Sequence, residues 1–343
     1  MTNKYQFSVV VFAIWLIGLY TAGVFTGENP VETLFSVSPV ALAAGLALYG
    51  AAIFTGMNIF RFSLKQIDVN VPMTGVMKAW IFGSFVDNVT PTLTPVGEAT
   101  MAYFLEKFHH IKMVRTLAAV GLYVSAWTIS VTMFSGISLI LILLFLPVPQ
   151  SYLVISTLAV AFFGIFTLGW LVLITRKSLV ERIVYRLVKS YNWFRNKIKS
   201  RKVTYPLEII KYEFDRTYSS MQVVLDNKGH VMLAALAFLI PQLAHAACIY
   251  VMILGFGVEV PFLAILLIHI ISSIAGLLAF IPSGLGVYEA ISVGSLLGLF
   301  NVPETVALAS IFIYRLIFVW LTNFLGAAIG IKEGIKEVPQ VKV

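Results

Sequence analysis

Residues 262–299 read FLAILLIHIISSIAGLLAFIPSGLGVYEAISVGSLLGL, and this stretch decides the fold. Two apolar arms, 262–281 and 288–299, flank the break Pro282-Ser-Gly-Leu-Gly-Val287. A helix needs about 20 residues to cross a hydrocarbon core of about 30 Å, so the second arm is too short to span. The same pattern stands upstream, where 73–87 and 97–107 flank Asn88-Val-Thr-Pro-Thr-Leu-Thr-Pro-Val96. Proline lacks an amide donor and pushes the preceding residue out of the helical region, so both breaks interrupt a helix. Each segment reads as a broken helical hairpin.

Unbroken apolar runs surround these hairpins, near 7–25, 37–60, 116–146, 152–175, 231–256 and 303–331. The first is longer than a secretory leader's apolar core, with no clean cleavage site after it, and reads as a transmembrane helix. The third is over-long and is expected to tilt or to bend near Ser135–Gly136. Pro241 is expected to kink the fifth. The chain is 59% apolar and 12% charged with a mean hydropathy of +0.92, whereas soluble domains carry about 25% charged residues. The expectation is an all-α polytopic membrane protein with about six full spans and two broken helical hairpins, either re-entrant or pairs of short full spans, since both return to the side they start from. The single cysteine, Cys248, excludes an internal disulfide framework and cysteine-rich metal sites.

Charge assigns the sides. Between Arg176 and His230 stand 13 Lys/Arg and 5 Asp/Glu, which accounts for the whole net charge of +8. So concentrated a surplus is a membrane-surface patch and excludes a nucleic-acid groove. With Lys4 inside, the loops 26–36, 147–151, 257–261 and 300–302 fall outside, and none holds Lys or Arg. Of 24 basic residues, only Lys78 and Arg315 then lie within apolar sequence. By the positive-inside rule, both termini are expected in the cytoplasm, and the expected location is the plasma membrane. The first hairpin enters from the inside and the second from the outside. This inverted topology is one that many secondary transporters use. The repeats run over about 73–146 and 262–331 of a single 1–343 transmembrane domain, joined by the basic connector 176–229. Val96-Gly-Glu-Ala99 and Val287-Tyr-Glu-Ala290 echo one another just after the two breaks. In the connector, Val180, Ile183, Val184, Leu187 and Tyr191 share a helix face, as in an interfacial helix or a solvated connector, and Pro206 marks its end.

Ionisable residues at membrane depth are costly, about 2.5–3.5 kcal/mol each on insertion scales, and are candidates for function by default. Glu98 and Glu289 each fall in the first turn of a resuming half-helix, where a carboxylate caps free amides, carries a proton or binds a cation. Arg315 is mid-span and requires a buried carboxylate, Glu289 or Glu98, or an anionic ligand; a guanidinium binds phosphate bidentately. Asp87 ends a half-helix, where it opposes the dipole, and calls for Arg315, Lys78 or a proton. Lys78 reaches back to the inner interface. Asn88, Thr90, Thr92, Thr94 and Ser283 supply polar lining, while Gly284 and Gly286 permit positive φ and close approach of backbone to ligand. Glu98, Glu289 and Asp87 are the candidates for proton or ion coupling. His245 and His269 read as hydrogen-bonded interhelical contacts. Neither a metal cluster nor a nucleotide-binding or catalytic motif is seen, so no cofactor is expected.

Taken together, Pro95-Val-Gly-Glu98, Pro282-Ser-Gly-Leu-Gly-Val-Tyr-Glu289 and Tyr314-Arg315 resemble the flippase-like transmembrane domain. That family is also called the lysylphosphatidylglycerol synthase transmembrane-region family. Ser283 stands where its members usually carry the first glycine of Pro-Gly-Gly, and Pro95-Val96 stand where a basic residue is common. Members that synthesise lysyl lipids add a soluble transferase domain, for which this sequence has no room. The resemblance implies a non-enzymatic lipid translocator that moves a phosphate-bearing lipid, a phospholipid or a polyprenyl-phosphate-linked species, between leaflets, passively or coupled to an ion. Its partners would be membrane lipids with anionic headgroups, and a homo-oligomer is left open. An ion-coupled transporter of a small soluble anion, a membrane-embedded lipid-phosphate transferase and a non-transporting assembly factor are the rival readings.

Overall fold

The computed structural model of the chain describes residues 30–90, 96–179, 181–182, 186, 215, 218, 222 and 226–335. The run 7–25, the connector face from Val180 to Tyr191, Pro206, and Thr92 and Thr94 lie outside them. Among the described residues every regular element is helical. A short α1 (Pro30–Phe35) leads into α2 (Pro39–Lys65). The first hairpin is α3 (Met73–Val89) and α4 (Val96–His109). Then come α5 (Met113–Phe145), α6 (Gln150–Thr175) and α7 (Lys228–Gly255). The second hairpin is α8 (Phe262–Leu278), a 3-10 turn (Pro282–Gly284) and α9 (Val287–Phe300). The last span is α10 (Glu304–Arg315), a π turn (Leu316–Trp320) and α11 (Leu321–Lys332).

Five of the six expected spans coincide with described helices, and all five are long and apolar enough to cross a membrane. The over-long third run is a single helix of 33 residues, unbroken through Ser135–Gly136. Pro241 sits within the 28-residue α7, which continues through it. The hairpin arms are short: α3 has 17 residues and α4 has 14, about 26 and 21 Å at 1.5 Å per residue. Arm α9, with 14 residues, equals α4. With the turn before it, Pro282–Phe300 reaches 19 residues and the length of a minimal span.

Two large apolar cores divide the bundle, beside a small third one at Ile142, Leu267 and Ile271. One gathers Phe60, Phe82, Met101, Phe104, Leu122 and Phe238 around the first hairpin; the other gathers Tyr49, Ile249, Met252, Ile265, Leu296 and Ile311 around the second. The long helices α2 and α7 serve both, one end to each. The hairpins therefore lie toward opposite ends of the bundle. Lipid tails are as apolar as leucine, so close packing and interhelical hydrogen bonds, rather than exclusion of water, hold such cores. Gly326 of α11 packs so closely on Phe85 of α3 that a Cβ there would collide with the ring. Between α5 and α6, Trp170 Nε1 donates to Ser125 Oγ at 3.0 Å, and the Thr132 and Thr167 hydroxyls lie 2.9 Å apart. From the connector, Gln222 donates to the Ile174 carbonyl at 2.6 Å and Asp215 meets Lys177 at 2.8 Å. That ion pair raises the Lys177 pKa above its ordinary value, chiefly through the hydrogen bond to Asp215.

Candidate functional site

The two hairpins touch at their tips. Between α8 and α9 the chain turns through Pro282–Gly284 with Ser283 at φ 51°, Gly284 at φ 62° and Gly286 at φ 82°. Gly284 lies against the backbone of Gly276, and a side chain there would meet the Gly276 Cα at 2.6 Å. Only glycine allows both that approach and that φ without strain. Thus braced, the turn places Ser283 so that its Oγ donates to the Asn88 carbonyl of the first hairpin at 2.9 Å. The Asn88 side chain donates in turn to Asn323 Oδ1 on α11 at 3.0 Å.

Arg315 stands behind this contact. It is 4% exposed, and the π turn begins directly after it. Its Nε donates to Glu289 Oε1 at 2.7 Å and its Nη2 donates to the Ser283 carbonyl at 2.7 Å. The guanidinium carbon lies 5.1 Å from the Tyr288 ring centroid, a cation–π contact. Among the described residues these bonds occupy two of the five N–H donors of the guanidinium. The other oxygen of Glu289 accepts the Gly286 amide at 2.7 Å, at the start of α9. Glu289 is thus at once a helix cap and the counter-ion of Arg315, two roles that a single carboxylate can fill because it has two oxygens.

Asp87 takes neither of the basic partners expected of it. Its Oδ1 accepts the Gly97 amide at 2.6 Å, so a residue at the C-terminus of α3 caps the N-terminus of α4 across the break. An anion there complements the positive end of α4, which offsets its unfavourable position on α3. Glu98 stands on the first turn of α4, next to the Gly97 amide that Asp87 accepts. Arg315 pairs with Glu289 rather than with Glu98. Lys78 lies apart from this cluster: its Nζ meets Glu333 Oε1 at 2.7 Å with the lysine side chain 37% exposed.

Four aromatic groups floor the site. His245 Nδ1 is 2.9 Å from the Tyr314 hydroxyl, and His269 Nδ1 is 2.9 Å from that of Tyr288. The two imidazoles stack at 5.7 Å and the two phenol rings at 5.8 Å, with one residue coming from each of α7, α8, α9 and α10. The histidines are interhelical contacts, as read from the sequence. Their tyrosine partners, Tyr288 and Tyr314, stand in the motifs quoted from the sequence but were given no role there, and Asn323 escaped that reading. Ser283, Asn88, Asp87, Glu98, Glu289 and Arg315 are brought together around the touching tips. Of the first break's threonines, Thr90 is described, and its amide donates back to the Asp87 carbonyl at 3.3 Å.

Comparison with known proteins places this arrangement. The sequence model described as the lysylphosphatidylglycerol synthase TM region matches residues 5–326. A UPF0104 membrane protein of Methanocaldococcus jannaschii is 25% identical over 336 residues, which is 95% of this chain and 95% of the relative. One from Pyrococcus horikoshii is 22% identical over 349 residues, 96% of this chain and 97% of the relative. Another, from Methanothermobacter thermautotrophicus, is 23% identical over 333 residues, 93% of each.

Proposed function

The chain belongs to the lysylphosphatidylglycerol synthase transmembrane-region family, and from that membership and the buried guanidinium we propose that it is a lipid translocator. It moves a phosphate-bearing lipid, a phospholipid or a polyprenyl-phosphate-linked species, between the leaflets of the plasma membrane, with both termini in the cytoplasm. One observation carries the reading: Arg315 lies where the two hairpin tips meet and keeps N–H donors uncommitted to described residues. A phosphate can take those donors bidentately. The hairpins enter as inverted re-entrant elements, so a headgroup passes their broken tips while its acyl or polyprenyl tails stay in lipid. Non-helical backbone at that depth is tolerated only where it is buried in protein or lines a polar cavity. Movement is passive or coupled to an ion held at Asp87, Glu98 or Glu289, and no covalent chemistry is involved.

Reconstitution into liposomes tests this reading. Fluorescent phospholipid and polyprenyl-phosphate probes should change leaflet faster with the protein than in empty vesicles, and the Arg315→Ala variant should lose that acceleration. If neither probe moves faster than in protein-free vesicles, the reading fails. Uptake of inorganic phosphate without lipid movement would instead establish a transporter of small soluble anions.

A further inference from the structure

Helices α3 and α11 approach closely where Gly326 lies against Phe85. About one turn away on each helix, the approach brings two side-chain amides together, and Asn88 Nδ2 donates to Asn323 Oδ1 at 3.0 Å. Each amide has a second polar end. Asn323 is 5% exposed, yet among the described residues its Nδ2 donates to none. Asn88 Oδ1 likewise accepts from none of them. Interhelical adhesion explains the bond between the amides but not their outer ends, since two leucines would pack here without withdrawing polar groups from water. The pair is tied to Arg315 through a single residue, Ser283. The serine carbonyl accepts Arg315 Nη2 at 2.7 Å, and its hydroxyl donates to the backbone carbonyl of Asn88 at 2.9 Å. Guanidinium and amides therefore flank one residue at the touching tips.

We propose that Asn88 and Asn323 read the group esterified to the phosphate, and that this group bears hydroxyls, as glycerol, inositol or a sugar does. The proposal rests on the translocator reading for the lipid, and on the amide pair for the hydroxyls. A hydroxyl both donates and accepts, so a hydroxylated group takes Asn323 Nδ2 and Asn88 Oδ1 together, with one hydroxyl or with two on neighbouring carbons. A primary ammonium donates to Asn88 Oδ1 and leaves the Asn323 donor unpaired. A carboxylate does the reverse, and a quaternary ammonium satisfies neither end. A site built to hydrogen-bond a hydroxyl rejects the analogue that lacks it, because the site's own polar groups are then left unpaired. Arg315 thus supplies affinity for the phosphate, and the amides choose among phosphates.

Native mass spectrometry of the full chain in detergent tests this with lipids matched in charge. Phosphatidylglycerol is set against phosphatidylethanol, and a polyprenyl phosphoglucose against the ethyl ester of the same polyprenyl phosphate. Both members of each pair are phosphodiesters, and only one bears hydroxyls. Wild-type protein should bind the hydroxylated member of one pair about tenfold more tightly, the effect of one to two net hydrogen bonds. The pair that shows it identifies the source of the headgroup. Asn323→Leu and Asn88→Leu should each bring that ratio close to one, with thermal unfolding in the same detergent showing that the variants are folded. Equal binding within both pairs by the wild type overturns the proposal, and so does a preference that survives both substitutions. If Asn323→Leu does not fold, the wild-type comparison and Asn88→Leu decide. Because binding is read without transport, a wild type that prefers the hydroxylated lipid but moves none sinks the translocator reading and leaves the amide site standing.

Discussion

Glu289 reaches Arg315 with one carboxylate oxygen, 2.7 Å from Nε, and with the other accepts the Gly286 amide that begins α9. The side chains are 4% and 18% exposed, so the charges are largely withdrawn from water. Removing one partner of a buried pair leaves the other uncompensated, at a cost of about 3–5 kcal/mol. Glu289→Ala should therefore destabilise the protein by that order and Arg315→Ala by a similar amount. Replacing both by well-packed apolar residues should cost less than either single change. Thermal unfolding of the three variants in one detergent gives the comparison. Equal losses in the double and single variants would mean that the pair is not what makes them costly.

The Asp87 contact leads to a smaller effect with a different signature. Capping substitutions typically cost about 1 kcal/mol, and Asp87→Ala removes the acceptor of the Gly97 amide. Asp87→Asn keeps an oxygen acceptor and loses the charge that complements the α4 dipole, so it should fall between wild type and Asp87→Ala. If Asp87 also couples an ion, Asp87→Asn will change the response of transport to an imposed proton or cation gradient more than it changes stability. Flux assays with and without the gradient read this. An identical gradient response in wild type and Asp87→Asn removes Asp87 from coupling.

How much of this was legible beforehand follows from what each signal depends on. The spans and hairpins were legible because apolar length and proline breaks act locally: 73–89, 96–109, 262–278 and 287–300 follow the sequence breaks closely. The partner of Arg315 was narrowed to Glu289 or Glu98, since spacing shows which residues cap a resuming helix but not which hairpin packs on the last span. Neither basic partner expected of Asp87 is found, for the same reason. Its partner is a backbone amide ten residues on, and amides are invisible to an argument from charges. Asn323 was missed because ionisable residues are what stand out at membrane depth, and an asparagine carries no charge. What marks it is its bond to Asn88 of the first hairpin, which no local pattern reveals.

The tyrosines beneath the arginine separate stability from function. Interhelical hydrogen bonds in membranes average about 0.6 kcal/mol, so Tyr288→Phe and Tyr314→Phe should each leave the protein nearly as stable as wild type. The rings, which carry the stacking and the contact with the guanidinium, are retained. Each hydroxyl nonetheless holds a histidine at 2.9 Å. Freed imidazoles beside Arg315 should alter the rate of lipid movement by more than the stability change accounts for. Unfolding and liposome assays on the same preparations would show this, and wild-type rates in both variants would make the four-ring cluster a packing element alone.

Lys78 provides the control. It is the second basic residue set in apolar sequence, yet it pairs with Glu333, at the C-terminal end of the last span, and is 37% exposed. Exposed ion pairs contribute about 0–1 kcal/mol and are screened by salt. Lys78→Ala should therefore leave lipid movement at the wild-type rate and lower stability slightly at low ionic strength, with the difference vanishing in high salt. Arg315→Ala under the same conditions should lose transport at every salt concentration, because Arg315 itself is buried where counter-ions do not reach. If the two variants instead lost activity together, with the same salt dependence, burial would not be what distinguishes the two residues, and the site would have to extend to the end of the bundle where Lys78 and Glu333 meet.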